Sequence, residues 1–306
     1  MIGPREVEAA ARLIEGRVRR TPALSLPAGA FGLAFAVALK LESLQASGSF
    51  KARGAFHKLL LRGAPTAGVV AASGGNHGAA VAFAARALGY RAEIYVPTIA
   101  SPAKVARLRD FGAAVTQTGA VYAEARAAAM RRAAETGATT IEAYDDPEVF
   151  AGAGTVAREF AEDAVFDTLL AAVGGGGLIA GCRAALEDRI KIVAVETEGT
   201  PTLHRALAAG RPVDVEISGL AADALGASRI GGTNFEQVKG RVASVLVDDK
   251  ALREAQRALW AELRIVAEPA GAAGLAALTA GAYRPAPGER VGVLVCGGNT
   301  DPASVV

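Results

Sequence analysis

Residues 168–181 read Thr-Leu-Leu-Ala-Ala-Val-Gly-Gly-Gly-Gly-Leu-Ile-Ala-Gly, and the order of side chains in that stretch sets the class of fold. Thr168–Val173 is a short apolar run, which predicts a buried strand. Gly174 to Gly177 interrupt it, and Gly177–Leu186 continues as a helical stretch. Four consecutive glycines are costly in conformational entropy, so the turn needs bare backbone for a reason. At a strand-to-helix turn, glycine lets several N–H groups converge on an anion, and the helix dipole adds to the attraction. A tight turn alone needs one or two glycines. Neither the Walker A pattern nor Gly-x-Gly-x-x-Gly is met, so the anion need not belong to a nucleotide.

The same strand–turn–helix unit recurs on both sides. Strands are expected at Val37–Leu41, Gly68–Ala72, Ala92–Val96, Ala114–Thr118, Lys191–Glu196, Val242–Val247 and Arg290–Val295. Helices are expected at Lys51–Leu61, Asn76–Leu88, Pro102–Phe111, Tyr122–Thr136, Pro147–Phe160, Lys250–Leu263 and Gly271–Thr279. This alternation predicts an α/β fold with mostly parallel sheets covered by helices on both faces. Ligands bind such sheets outside the carboxyl ends of the strands. Ala71–Gly78, Val173–Gly177 and Val295–Thr300 all fall at that position.

Composition narrows the function classes. Over 306 residues, 51% are hydrophobic and 21% charged, enough for a packed core and unlike a disordered chain. The net charge is +2 with scattered basic residues, and aromatics make up 5%, so neither nucleic acid nor an anionic membrane is an expected partner. The two cysteines, Cys182 and Cys296, are far apart, which argues against a disulfide framework and for a reducing compartment. Met1–Arg20 mixes Arg5, Glu6, Glu8, Arg12 and Glu15 into its apolar positions, unlike a signal peptide. The expected location is the cytoplasm.

Two further segments carry chemistry. In Leu44–Ala55, Lys51 opens a helix, where the positive end of the dipole and partial desolvation would lower its amine pKa and make it a nucleophile. An exposed lysine is the default reading of any single Lys, but this chain favours Arg over Lys, and Lys51 stands among small residues and Phe50. Ser73-Gly74-Gly75-Asn76-His77-Gly78 forms a polar nest at a helix start, suited to a carboxylate. By itself it reads equally well as a helix cap, and His77 alone as a structural histidine.

Taken in order, the Lys51 segment, the Asn76 loop, the tetraglycine turn and Cys296-Gly297-Gly298-Asn299 resemble the fold-type II pyridoxal-phosphate enzymes, the serine/threonine dehydratase and serine racemase branch in particular. The likeness extends to Asp146-Pro147 with Gly152–Thr155 and to Glu268–Ala272. It implies a tryptophan synthase β-like fold of two open, twisted sheets, and pyridoxal 5'-phosphate as cofactor. Lys51 would hold the cofactor as a Schiff base, with Phe50 packing near its ring. Asn76 would meet the phenolic oxygen, Gly174, Gly175, Gly176 and Gly177 the phosphate, and Cys296 the pyridine nitrogen. Ser73, Gly75, Asn76 and His77 would cradle the substrate carboxylate. Asp301 is an alternative partner for the nitrogen, outside the family motif.

The reaction implied is α,β-elimination from L-threonine or L-serine, giving 2-oxobutyrate or pyruvate and ammonia. Lys51 would remove the Cα proton and the cofactor phosphate would protonate the departing hydroxyl. Hydroxyaspartate or phenylserine dehydration, serine racemisation and a threonine synthase-like β-replacement are alternatives on the same scaffold; a cofactor-binding sensor and a nucleotide-binding module are non-enzymatic ones. Racemases of the branch carry a hydroxyl at the position of Gly74, so racemisation is disfavoured. Relatives that bind a divalent cation use a carboxylate pair; Glu196 matches one member, but Thr202 replaces the other, and no tightly held metal is expected. Ser218–Gly226 departs from the family form, and Asp223 either faces the substrate or caps a helix. The chain ends soon after Cys296, so no distal regulatory domain is expected. The resemblance implies a homodimer, with a large cofactor domain (Met1–Ala67 and Tyr144–Val306) and a small mobile one (Gly68–Ala143) that closes on the amino-acid substrate.

Overall fold

The computed structural model describes residues 1–305. Its strands are β1 (Ala23–Leu26), β2 (Val37–Leu41), β3 (Val69–Ala72), β4 (Ala92–Val96), β5 (Ala114–Gln117), β6 (Thr139–Thr140), β7 (Thr168–Ala172), β8 (Lys191–Thr197), β9 (Ala243–Val247) and β10 (Val291–Val295). Its helices are α1 (Pro4–Ile14), α2 (Lys51–Arg62), α3 (Asn76–Ala87), α4 (Pro102–Asp110), α5 (Tyr122–Thr136), α6 (Pro147–Asp163), α7 (Gly177–Leu186), α8 (Thr202–Ala209), α9 (Ala222–Leu225), α10 (Gly232–Val238), α11 (Asp249–Leu263) and α12 (Pro269–Thr279).

Two sheets form. A six-stranded sheet runs β1-β2-β10-β7-β8-β9, and a four-stranded one runs β5-β4-β3-β6. Every pairing is parallel except β1 with β2. The expected α/β class and paired parallel-rich sheets are therefore present. Strands β2, β3, β7 and β10 are buried along their whole length, as parallel strands covered on both faces must be. One core cluster surrounds the larger sheet and two smaller ones surround the other. No helix among the described residues is long and apolar enough to cross a membrane.

Several elements were not anticipated. Strand β1 is four residues between Pro22 and Pro27, an antiparallel edge too short to show a period. Strand β6 is two residues long. Helix α1 was not predicted either, although Val7, Ala10 and Ile14 lie at helical spacing and are its buried residues. Close packing also needs small residues that the strand–helix pattern does not explain. A Cβ on Gly154 would lie 2.5 Å from the Gly181 carbonyl oxygen, so α6 and α7 cross backbone to backbone.

Beneath the start of α2 lies a buried ion network. Arg53, 1% exposed, pairs with Glu42 at 2.7 Å and Glu159 at 3.0 Å. Lys40, fully buried, reaches Glu159 and Asp163 at 2.7 Å each. Burial alone would raise the Glu159 carboxyl, but Arg53 and Lys40 outweigh it and hold its pKa below the usual range. The pairing thus contributes stability above the unfolded pKa of Glu159 and loses it as pH falls through the folded value. Removing one partner leaves an uncompensated buried charge, which costs about 3–5 kcal/mol. An Arg53→Met variant should lose about that much unfolding free energy, measured as a lower denaturant midpoint at unchanged slope. An unchanged midpoint would show that the network carries no weight.

Candidate active site

In the larger sheet β10 lies between β2 and β7, so the loops that leave the carboxyl ends of these three neighbours meet. The loop after β2 folds into short 3-10 turns, with Ser47 in the left-handed region at φ 60°. It is tied to the loop after β10: Phe50 N–H donates to the Cys296 carbonyl at 3.0 Å, and Gly298 N–H to the Gly48 carbonyl at 3.0 Å. Lys51, the first residue of α2, is thereby set beside Cys296. The tetraglycine turn arrives from β7, and Ser73–Gly75 arrives from β3 of the second sheet.

Lys51 shares an apolar crevice with Phe50, Val149, Phe150 and Ala153. Its Nζ lies 5.3 Å from the centre of the Phe50 ring and donates to the Ala143 carbonyl. Burial lowers the amine pKa to about 8, against the opposing pull of Cys296 and Glu268. A neutral amine is therefore accessible near physiological pH, which nucleophilic chemistry on a carbonyl requires.

The turn at Gly174–Gly177 is shaped to receive an anion. Gly176 caps α7 with φ at +94°, a conformation strained for any L side chain. A Cβ on Gly175 would fall 2.2 Å from the Tyr144 ring, so the ring lies directly against the turn. The buried Asn234 amide clamps the two together, donating to the Tyr144 carbonyl at 3.0 Å and the Gly175 carbonyl at 2.8 Å. Among the described residues, none of the Gly174–Gly177 N–H groups donates to a protein acceptor. Unpaired donors at the start of a helix fit a phosphate group.

Ser73 Oγ accepts from Gly75 N–H at 3.1 Å and shapes the nest. Asn76 donates its amide to Glu268 Oε1 at 2.6 Å and accepts from Asn299. The His77 ring is buried, bonded through Nε2 to the Ile141 carbonyl at 2.9 Å, and pushed down to a pKa of about 3 by burial and then by the Lys51 charge. It is a neutral anchor, its ring committed to the Ile141 carbonyl.

The Cys296 thiol is buried and its pKa is pushed well up, first by burial and then by Glu268, so it stays protonated. Asp223 lies in the four-residue α9 with its side chain 72% exposed, in an ion pair with Lys104 of α4. It makes no helix-capping bond. Lys104 in turn runs past Gly74, its Cδ 3.8 Å from where a Cβ would stand. Glu196 accepts from Thr202 Oγ1 at 3.0 Å and from the Leu203 and His204 N–H groups at 2.7 Å each. Asp301 is exposed, and its side chain caps the 3-10 turn at Pro302–Ser304.

Sequence reasoning missed four participants. Glu268 is 4% exposed, and burial raises its pKa to about 7, partly offset by Asn76 and Arg107. Arg107 donates to the Ser47 carbonyl at 2.8 Å and to Asn299. Asn299 also donates to the Ser47 carbonyl at 2.9 Å. Tyr144 walls the turn. The available signal was that Glu268 and Asn299 lie in the family-like segments Glu268–Ala272 and Cys296–Asn299.

A family model described as pyridoxal-phosphate dependent enzyme matches residues 14–297. The L-threonine ammonia-lyase of Thermotoga maritima is 38% identical over 270 residues, 86% of this chain and 67% of that protein. The phenylserine dehydratase of Ralstonia pickettii is 39% identical over 280 residues, 88% of this chain and 84% of the relative. The crystal structure of the T.th. threonine deaminase superposes with a TM-score of 0.91 at 36% identity, covering 98% of this chain and 99% of that one.

An amine-directed acylating reagent should label Lys51 in cofactor-free protein along a curve with its midpoint near pH 8, the neutral amine being the reactive form. Labelling that waits for the ordinary lysine range near pH 10.5 would contradict the burial argument.

Proposed function

Because the chain belongs to the pyridoxal-phosphate dependent enzymes, we propose that it is an ammonia-lyase that converts L-threonine or L-serine to a 2-oxo acid and ammonia. The observation that carries this reading is the buried Lys51 amine with its lowered pKa, next to the protonated Cys296 and close to a turn of unpaired glycine N–H groups. The turn would hold the cofactor's phosphate and Cys296 its ring nitrogen, with Phe50 packing beside the ring and Asn76 donating to its phenolic oxygen. When bound, pyridoxal phosphate supplies an electron sink for the pair left at Cα.

Lys51 Nζ removes the Cα proton, for which it must be neutral; the pKa of about 8 supplies that form. The Cα–H bond breaks with its proton passing to Lys51, its electron pair forms the Cα–Cβ double bond, and the Cβ–O bond breaks; the departing hydroxyl would take a proton from the cofactor phosphate and leave as water. Hydrolysis of the released enamine adds one water and liberates ammonia, so the 2-oxo acid and ammonia together have the atoms of the substrate. Ser73, Gly75, Asn76 and the backbone at His77 bind the substrate carboxylate. A protonated Cys296 donates a hydrogen bond without adding charge, which favours prompt expulsion of the leaving group over long-lived carbanion chemistry. Gly74 offers no acid or base on its side of the site, so elimination rather than racemisation is the main reaction.

We read Gly68–Ala143 as a lobe that closes on the substrate and excludes water. Three contacts suit that role: Lys104 with Asp223, Arg107 with Asn299, and Asn76 with Glu268. We read Asp223, exposed and paired with Lys104, as an influence on the choice of substrate side chain. A larger β-substituent is the second reading, favoured by the 39% identity to the phenylserine dehydratase. Two buried, unpaired cysteines suit a cytoplasmic protein, and the family resemblance suggests a homodimer.

The purified protein should be yellow and should release 2-oxobutyrate from L-threonine or pyruvate from L-serine; rates with 3-hydroxyaspartate and phenylserine rank the alternatives. A colourless, inert protein would overturn the assignment. Lys51→Ala should lose the colour and at least roughly 10³-fold of the turnover.

A further inference from the structure

The two hydrogen bonds on the Asn76 side chain define which way its amide points. Its Nδ2 donates to Glu268 Oε1 at 2.6 Å, and its Oδ1 accepts from Asn299 Nδ2 at 2.5 Å. Rotating the amide by half a turn would set oxygen against carboxylate and NH₂ against NH₂, a mismatch at both ends. Each partner is itself held. Glu268 N–H donates to the Gly297 carbonyl at 3.1 Å, and a Cβ on Gly297 would stand 2.0 Å from Glu268 Oε1, so only glycine there leaves the carboxylate its place. Asn299 is fixed by the Ser47 carbonyl and by Arg107. One of the two Nδ2 hydrogens goes to Glu268; the other meets no protein acceptor among the described residues.

We propose that Glu268 is a positioning residue. Together with Asn299 it locks the Asn76 amide so that its second N–H is presented to the cofactor. This rests on the reading above that Asn76 meets the cofactor's phenolic oxygen, and adds how the amide is oriented and from where. Asn76 belongs to α3 and Arg107 to α4, in the segment carrying the small sheet, whereas Glu268, Asn299 and Ser47 belong to the segments carrying the large one. The amide is therefore oriented only when the two halves of the site are together. Glu268 sits among Lys51, Arg107, Asp223 and Cys296, and its raised pKa of about 7 reflects how completely this group is removed from water.

The test is a mutant cycle read by cofactor affinity. Holoenzyme is stripped of pyridoxal phosphate, and the dissociation constant is measured by absorbance titration for wild type, Glu268→Ala, Asn76→Ala and the double variant. Each single variant should weaken binding about tenfold, the scale of one hydrogen bond to a charged or polar partner. The double variant should also be weakened about tenfold, since Glu268 acts only through Asn76. Glu268→Gln, whose Oε1 still accepts from Asn76, should restore affinity to within about threefold of wild type. A hundredfold loss in the double variant, or a Glu268→Gln as weak as Glu268→Ala, overturns the proposal. If Glu268→Ala does not fold, Asn299→Ala replaces it in the cycle with the same expectation. An Asn76→Ala variant of wild-type affinity would instead sink the underlying reading of Asn76 as a cofactor ligand.

Discussion

The parallel insertion of β10 between β2 and β7 is the pairing on which the rest of the site depends. Parallel strands point their carboxyl ends the same way, so three loops that are remote in sequence must leave the sheet side by side. One brings Lys51, one Cys296 and one the tetraglycine turn. Beyond the strands, the hydrogen bonds between the Gly48–Phe50 backbone and the Cys296–Gly298 backbone add an antiparallel bridge at Ser49 and Gly297 to the parallel β2–β10 pairing. They convert an alignment of strands into a fixed distance between functional groups.

Charge is distributed around this point in an ordered way. Immediately below Lys51, Arg53 and Lys40 are fully paired with Glu42, Glu159 and Asp163, so the helix that carries Lys51 is fastened by charges that cannot leave. In the site itself burial works the other way. It lowers the Lys51 and His77 pKa values and raises those of Cys296 and Glu268, shifting each group toward its neutral form. The pattern follows from the surroundings: paired charges tolerate burial, and unpaired ones shed theirs. A site whose groups are shifted toward their neutral forms around free N–H donors suits a ligand that brings its own charge.

The second sheet enters through side chains rather than backbone. Asn76, Lys104 and Arg107 reach across to Glu268, Asp223, Asn299 and Ser47. These bonds are few, polar and located at the ligand site, and beside them α2 packs against α3 in the apolar cluster that also covers the small sheet.

By itself the sequence determined the α/β class, most of the strands and helices, and the place of the glycine turn between a strand and a helix, because each of these is written in neighbouring residues. Apolar runs bounded by small residues specify strands, and four glycines in a row have few uses. Lys51 was singled out for its place at a helix start, and the reason it matters proved to be burial, which a local reading could only surmise. Arg107 and Tyr144 were not legible, since nothing in their own neighbourhoods marks them, and Glu268 and Asn299 lay inside family-like segments without any readable role. Asn76 meets Glu268 across 192 residues and Asn299 across 223, and such pairs exist only after the strand order is set. His77 shows the same limit in reverse: its motif suggested a ligand, but its ring is committed to the Ile141 carbonyl. Local pattern records what each segment can form; burial and long-range pairing, which shift pKa values and orient amides, belong to the tertiary structure alone.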